Sequence, residues 1–581
     1  MSDRLSKSDI AGILRDIAAL LEFHDENPFK SRAYENAARA LAAEPAALDD
    51  LIGEEGRLEN IKDIGKSIAK VIRETATTGN SSHLDELRGS TPAGICQLMS
   101  IPNLGPKKIR ALYEKLGITS AQELEEACKS GAVAQLAGFG EKSGGKILAG
   151  IEQTRKFAGQ FLYTTALAAA APLLKTLRAC TAVARAETAG SLRRCKEIVR
   201  DLDFVASSEN PRDVMDYFIT LPGVAQVINF GETKTSVLLS SGIQADLRVV
   251  AGHEFASALQ YFTGSKEHNT QLRGLAKKQG LRANEYGIFH VTDKTGEGPR
   301  DGKRVATLDE TAFYKSLGLD YIPPELREGM GEIEAAEAHN LPRLITLDDY
   351  RGVLHCHSTW SDGAASIRDM ALAARDTWRL EYIAICDHSE AAAYARGIKR
   401  GDLARQHEEI GRLNKEFRAS EFSILKGCEC DILTDGSLDY PDEYLDAMDI
   451  VVASIHSRFQ MSEADMTARL LRAVENPRTD VLGHISGRLL LAREAYPFDA
   501  EKVLARAAEC DTAIEINGDP QRLDLDWRLC RRAKQLGCRF SINPDAHSIE
   551  ALRYIVTGIN VARKGWLAAG DVINCREWPR K

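Results

Sequence analysis

No stretch of this 581-residue sequence is apolar for long enough to cross a membrane. The nearest approach, TTALAAAAPLL at 164–174, is short and interrupted by Pro172. The amino terminus lacks the charged-then-apolar order of a secretory signal. MSDRLSKSDIAGILRDIAALLEF reads instead as an amphipathic helix, and the expected location is the cytoplasm. Paired cysteine spacing is missing too: the 12 cysteines are scattered, which argues for a reducing compartment and against a disulfide framework. Nor is there a bulk excess of positive charge, the formal net charge being −9. That absence excludes less than it suggests. Residues 1–300 carry 38 Lys+Arg against 37 Asp+Glu, residues 301–581 carry 37 against 47, and within 101–200 the count is 16 against 8. The acidity belongs to the back of the chain, and a basic region compatible with nucleic acid lies nearer the front.

The length calls for roughly three to five domains. Residues 1 to about 160 read as short helices joined by Gly-containing turns. From 160 to 255 a helix gives way to β-rich pieces, DLDFVAS, TKTSVLLS and IQADLRVV, and a mixed helical region follows to about 318. DYIPPELREGMGEIEAAEAHNLP (320–342), with two prolines and an acidic run, has the look of an interdomain linker. Beyond it, seven strand candidates recur: RGVLHCH, YIAICDHS, SILKGCECD, DIVVASIH, VLGHIS, AIEING and RFSINPDAH. Most are separated by helical stretches, the rhythm of βα units closing into a barrel.

In the front half, IKDIGKSIAKVI (61–72) and SIPNLGPKKIRALYEKLGI (100–118) share one design, an apolar-Gly turn followed by a Lys-rich helix. Gly65 and Gly105 let the turn approach a phosphate, with helix-start amides facing it. One such turn alone reads as a helix-turn-helix corner; two Lys-flanked copies favour helix-hairpin-helix units gripping a DNA backbone without reading bases. LAGFGEKSGGKI (136–147) is a candidate third, degenerate copy. GSLRRCKEIVRDLDF (190–204) then sets a Gly-Ser turn and two arginines ahead of Asp201 and Asp203. In an extended segment both aspartates face one way while Leu202 and Phe204 point inward. Such a carboxylate pair is kept where a cation sits between its members. Asp246, in SSGIQADLRVV, is the candidate third carboxylate, and three carboxylates plus phosphates can hold two Mg²⁺ for in-line phosphoryl transfer. YFTGSKEHNTQLR (261–273) adds Tyr261 and Phe262 before a Gly turn, with Asn269 and Arg273 on one helix face.

In the back third, LHCHSTWSDG puts His355 and His357 on one strand face with Asp362 beyond. Other strand ends add His388, Glu429, His456, His484, Asp545 and His547. Nine N/O ligands at the C-terminal mouth of a barrel suit roughly three divalent ions, and Cys356, Cys428 and Cys430 fall on opposite strand faces as core.

Together the front segments resemble the family X DNA polymerases, over about residues 5–318, and the back third looks like the PHP (polymerase and histidinol phosphatase) domain. The resemblance implies a multidomain α+β and α/β protein. Its segments would be an 8-kDa-like helical domain at 1–85, a second helix-hairpin-helix domain at 86–158, a nucleotidyltransferase palm at 159–255 and a nucleotide-selecting thumb-like domain at 256–318. A linker at 319–343 would lead to a distorted (βα)7 PHP barrel at 344–581. It implies gap-filling DNA synthesis in repair, with metal-dependent 3′–5′ exonuclease or 3′-end processing and AP endonuclease activity as a further expectation. Asp201 and Asp203 would bind two Mg²⁺ or Mn²⁺, and Asp246 the catalytic one. Gly190, Ser191 and Arg194 would hold the triphosphate of a dNTP. Tyr261, Phe262 and Gly264 would sense the sugar, with Asn269 and Arg273 beside the nascent pair. Lys30 would bind a 5′-phosphate. The hairpins would contribute Gly65, Lys66, Gly105, Lys107 and Lys108 to gapped or nicked duplex DNA. Carbonyls of Ile61, Ile64, Ile101 and Leu104 would surround a monovalent cation. The nine barrel residues would carry Mn²⁺, Zn²⁺ or Fe²⁺, with Asp387 orienting His388 or a neighbour. A monomer is expected.

Three positions depart from the family pattern. Cys195 and Arg200 stand where glycines are usual, which bears on nucleotide affinity. Val71 occupies the place of the Schiff-base lysine, and Lys70 next to it would point elsewhere, so weak or absent lyase activity is expected. Competing readings are a template-independent nucleotidyltransferase, a DNA-end-binding protein with a decayed polymerase site, and a PHP phosphatase acting on small metabolites.

Overall fold

The protein, examined as a computed structural model, is described over residues 7–44, 46, 48–53, 56–102, 104–291 and 298–578. The first six residues of the expected N-terminal helix lie outside this set. The chain divides into two units, 1–158 and 159–581.

In the first unit, helix α1 (Lys7–Phe23) buries Ile10, Leu14, Ile17 and Leu21, a one-face helical period, against a core that includes Ala37, Ala38 and Leu41 of α2 (Pro28–Ala43). Asn27 starts α2, its side chain accepting from the Phe29 amide, with Pro28 in the first turn. Helices α3 (Lys66–Thr78), α4 (Pro106–Leu116) and α5 (Glu141–Phe157) each follow a turn of one kind. The Ile64 amide donates to the Ile61 carbonyl at 3.1 Å, Leu104 to Ile101 at 3.2 Å, and Phe139 to Leu136 at 3.0 Å. An extended Gly65, Gly105 or Gly140 then caps the helix. The degenerate third copy is thus built like the other two.

In the second unit, helix α6 (Tyr163–Ala179) runs through Pro172 and packs on a five-stranded sheet. Its strands are β1 (Arg185–Thr188), β2 (Asp201–Ser207), β3 (Val224–Phe230), β4 (Lys234–Leu239) and β5 (Gln244–Val250), in the order β1-β2-β5-β4-β3. The sequence pieces read as β became β2, β4 and β5. Strand β3 was not anticipated because it is an edge strand, exposed along most of its length and without apolar alternation. Helices α7 (Phe255–Thr263) and α8 (Lys266–Lys278) follow. The acidic, proline-bearing segment 319–343 is packed rather than loose. Ile322, Leu326 and Ile333 share a core with Leu272, Phe313, Tyr314 and Leu344, and the wholly buried Arg327 pairs with Glu310 at 2.6 Å.

The seven strand candidates of the back third all form strands: β6 (Gly352–Val353), β7 (Tyr382–Ile385), β8 (Ser423–Asp431), β9 (Ile450–Ser454), β10 (Val481–Leu482), β11 (Ala513–Asn517) and β12 (Phe540–Asn543). They pair in chain order, every register parallel, and a Cys356–Ala546 bridge brings the last strand's exit back to the first's. Leu354, Tyr382, Ala384, Val452 and Val481 fill one core, while Cys356, Cys428 and Cys430 lie buried in the other, with the surrounding helices. Helices α9 (Trp527–Leu536) and α10 (Tyr554–Lys564) belong to this outer layer.

Candidate active sites

Strand β2 alternates as its sequence requires: Leu202 and Phe204 are buried, Asp201 is exposed and Asp203 intermediate. Parallel pairing with β5 puts Asp203 opposite Asp246 in register. Burial, then the like charges of Asp201 and Asp246, push the Asp203 carboxyl up to about 7. Asp246 is held low, against its burial, by Lys234 at 2.8 Å and by the Gln244 amide at 2.8 Å. Lys234 was not singled out from the sequence; only the β4–β5 register reveals it. Gly190, at φ +59°, starts the short helix Gly190–Arg193 that carries Ser191, and a Cβ at Gly190 would lie 2.0 Å from Asp203 Oδ2. Glycine is required there both by the backbone and by the carboxylate.

Cys195 also has a left-handed backbone, φ +53°, which accounts for the glycine expected there by resemblance and costs a residue with a Cβ about 1–2 kcal/mol. Burial raises its thiol to about 11. Arg200 is exposed at the strand entrance. Arg194, by contrast, is engaged by the protein: Nη1 donates to the Thr263 carbonyl and Nε to Glu328 at 3.1 Å. Glu328 is shared with Lys564 of α10 at 2.5 Å and Lys196 at 3.7 Å, and Lys564 also donates to the Arg194 carbonyl at 2.9 Å. Gly264, φ +72°, leaves room for that guanidinium. Tyr261 and Phe262 meet edge to face at 5.2 Å, with Arg248 4.3 Å over the Phe262 ring. Asn269 is buried, accepting from Gln260 at 2.9 Å and donating to the Tyr261 carbonyl at 2.7 Å, while Arg273 Nε donates to the Asn269 carbonyl at 3.2 Å.

In the barrel, all nine predicted ligand side chains converge on the C-terminal mouth. Three groups have atoms close enough to share a cation: His357, Asp362, His388 and His547; His355, His357 and Asp545; and His388, Glu429 and His456. Glu429 is the hub, within 2.9–3.6 Å of His355, His357, His388, His456 and His484. His355 Nε2 and His357 Nε2 lie 3.3 Å apart. Against its burial, Glu515, Asp545 and Glu429 raise the His355 imidazole well above its usual range. Burial, then His547 and His388, hold His357 down to about 3. The buried Nδ1 atoms of His357 and His484 have no hydrogen-bond partner. Imidazoles facing one another around a carboxylate, with orphaned ring nitrogens, fit divalent cations and fit little else.

The outer partners were largely missed from sequence. Glu515 lies 2.7 Å from His355 Nδ1 and accepts from the His484 amide at 2.8 Å; Asp431 pairs with His456 Nδ1. Asp387 does not orient His388. It accepts from the Ser358 amide at 2.8 Å, the Ser358 and Ser361 hydroxyls and Gln406, and so braces the loop that carries Asp362.

In the first unit Lys30, Lys66, Lys70 and Lys107 are exposed, Lys108 is intermediate, and Val71 is buried in the α3 core. Lys30 pairs with Glu26 at 3.1 Å. A Cβ at Gly65 or Gly105 would meet no protein atom within 4 Å, and neither backbone is left-handed.

Residues 6–81 match the helix-hairpin-helix domain family, 97–153 the SAM-like helix-hairpin-helix tandem, and 258–328 the DNA polymerase beta thumb. Over 575 residues the chain is 40% identical to the Bacillus subtilis (strain 168) DNA polymerase/3′–5′ exonuclease PolX, covering 98% of each. The chain belongs to the PolX family. In this PolX-family chain the DNA polymerase beta thumb match reaches into the packed segment beyond 318, in keeping with the shared core there. Partial relatives are probable phosphatases: one of Thermoanaerobacter sp. (strain X514), 34% identical over 21% of this chain and 52% of its own length, and one of Aliivibrio fischeri (strain MJ11), 34% identical over 26% and 63%. No helix among the described residues is long and apolar enough to cross a membrane.

Proposed function

We propose that this PolX-family chain fills short gaps in DNA by template-directed nucleotidyl transfer at Asp201, Asp203 and Asp246, and shortens or cleans 3′ ends at the barrel cluster, with abasic-site cleavage as a related activity. The observation that carries the first assignment is the Asp203–Asp246 register beside a Gly-Ser-Leu-Arg helix start. The second is carried by the convergence of eight candidate ligands in three groups, with His484 joining them through Glu429. The three aspartates would hold two Mg²⁺ or Mn²⁺, and the barrel about three of Mn²⁺, Zn²⁺ or Fe²⁺. Such ions supply charge neutralisation at phosphorus and acidify an attacking oxygen.

The chain's own groups do the positioning. Lys234 keeps Asp246 ionised, suiting it to hold a metal ion. Ser191 and Arg194 would take the triphosphate, Arg194 exchanging Glu328 for phosphate oxygens. Tyr261, Phe262 and Gly264 would wall the sugar, and Asn269, already holding the Tyr261 carbonyl, would fix that wall with Arg273 beside the base pair. The hairpin glycines and Lys66, Lys107 and Lys108 would grip backbone phosphates. Carbonyls of Ile61, Ile64, Ile101 and Leu104 would hold a monovalent cation, and Lys30 a 5′-phosphate. We assign the domain limits 1–85, 86–158, 159–255, 256–318 and 344–581, joined by 319–343, and a monomeric cytoplasmic protein acting on gapped or nicked duplex DNA and dNTPs. With Val71 buried, little lyase activity is expected.

The test is a gapped-duplex assay scoring extension and 3′ shortening separately. Asp203→Ala should lose only extension and His357→Ala only shortening. Loss of both activities from either single change would sink the division of labour.

A further inference from the structure

Beside the barrel cluster lies a cavity of about 820 Å³ whose walls include Arg458, Phe459, Met461, Arg493, Glu494 and Tyr496. Both walls grow from ligand-bearing loops. Phe459 follows His456 by three residues, on a turn that Arg458 enters with φ +59°. Tyr496 donates its amide to the Ser486 carbonyl at 3.1 Å, and its ring lies where a Cβ on Gly487 would come within 2.4 Å. Gly487 in turn donates to the His484 carbonyl at 2.9 Å. The Phe459 and Tyr496 rings are stacked at 6.1 Å and 16°, and Arg493 sits 4.1 Å over the Phe459 centroid with Nε donating to Gly487. Across the mouth, the exposed Tyr394 ring stands 6.0 Å from both His388 and His456, and Arg522 Nε lies 3.6 Å from Asp545.

We propose that this cavity receives the nucleobase of the 3′-terminal nucleotide while the adjoining phosphodiester lies at the cluster. The proposal rests on the reading of that cluster as the centre that shortens 3′ ends. A nuclease removing successive nucleotides must accept any base, which favours stacking on a flat aromatic wall over hydrogen-bond readout. The wall here is aromatic, thioether-lined and topped by a guanidinium that adds a cation–π contact. The arginines at its rim complement the backbone phosphates on either side. A site for a small phosphomonoester alone would have no use for so large an apolar recess.

The test uses full-length protein and three substrates: a strand ending in an ordinary nucleotide, the same strand ending in a base-free tetrahydrofuran residue, and bis(p-nitrophenyl) phosphate. Wild type should prefer the base-bearing end. Phe459→Ala should raise KM for that end about tenfold, leave the other two substrates within about twofold, and leave gap extension unchanged. Phe459→Trp, which keeps a stacking surface, should restore the preference. A variant that keeps the wild-type preference, or slows all three substrates alike as a packing defect would, overturns the proposal. Wild type that hydrolyses the small diester but shortens no DNA overturns the nuclease reading and the base pocket with it.

Discussion

The palm triad and the barrel cluster both gather ionisable side chains at strand ends, yet they are built on opposite principles. In the palm, three carboxylates meet on neighbouring parallel strands with Lys234 as the near cation, and the imbalance shows as an Asp203 carboxyl raised to about 7. In the barrel, nearly every charge has a counter-charge fixed by the fold. Glu429 touches five imidazoles, and His355 and His456 are backed by Glu515 and Asp431. The difference follows from who completes the coordination. A nucleotidyl-transfer site shares its ions with the phosphates of an incoming substrate and must stay open to receive them. The barrel cluster pairs most of its charges within the chain itself and can be folded into a core.

That contrast can be broken in three places. The largest effect is expected from Glu429→Gln, which removes the hub charge of the barrel. 3′ shortening should fall on the order of 10³-fold, with gap extension unaltered, as followed on labelled primers. A palm that lost activity as well would mean the two sites are not independently assembled. Next, Gly190→Ala forces a Cβ onto the Asp203 carboxylate and a left-handed backbone onto alanine. Extension should drop about 100-fold in kcat/KM through displacement of the carboxylate, with shortening intact. Unchanged extension would show that Asp203 can move without cost.

The third place concerns stability rather than activity, at the seam between the two halves of the second unit. Burial outweighs the pairing with Glu328 and holds Lys564 down to about 8. Between pH 8 and 10.5 the unfolded chain therefore carries a proton on this lysine that the folded chain lacks. Stability should rise across that window by about 3 kcal/mol relative to a Lys564→Met variant, in which other titrations cancel. Denaturant midpoints of the pair, measured from pH 7 to 10, check it; parallel curves would mean that the ammonium is better solvated than its surroundings indicate.

Much of this was legible in sequence because the relevant signals are local. The spacing of two in DLDF fixed which face the aspartates share, and five of the seven barrel strands announced themselves by an apolar run ending in a histidine or acid. The glycine turns were legible for the same reason, down to the third copy. What stayed hidden depends on pairing between distant segments. Lys234 meets Asp246 only through the β4–β5 register, Glu515 meets His355 across 160 residues, and Glu328 reaches Arg194 across 134. Asp387 was read as an outer partner of His388 or a neighbour, and which neighbour stayed hidden, since nothing in the sequence says that the Ser358–Ser361 loop folds over it. Segment 319–343 was read as an interdomain linker from its prolines and acids, and its packing, with the buried Arg327–Glu310 pair, is invisible in one dimension.

The carboxylate of Glu328 lies at a three-way junction, answering to Arg194 and Lys196 on one side and to Lys564 on the other. Anyone hoping to excise residues 1–343 of this enzyme as a stand-alone cassette would remove Lys564 and leave that acid to Lys196 and to the arginine assigned to the triphosphate. The freed acid would then compete with substrate for the same guanidinium. A trimmed polymerase would need a replacement cation at that spot, or the acid neutralised, before its nucleotide affinity could stand for that of the whole.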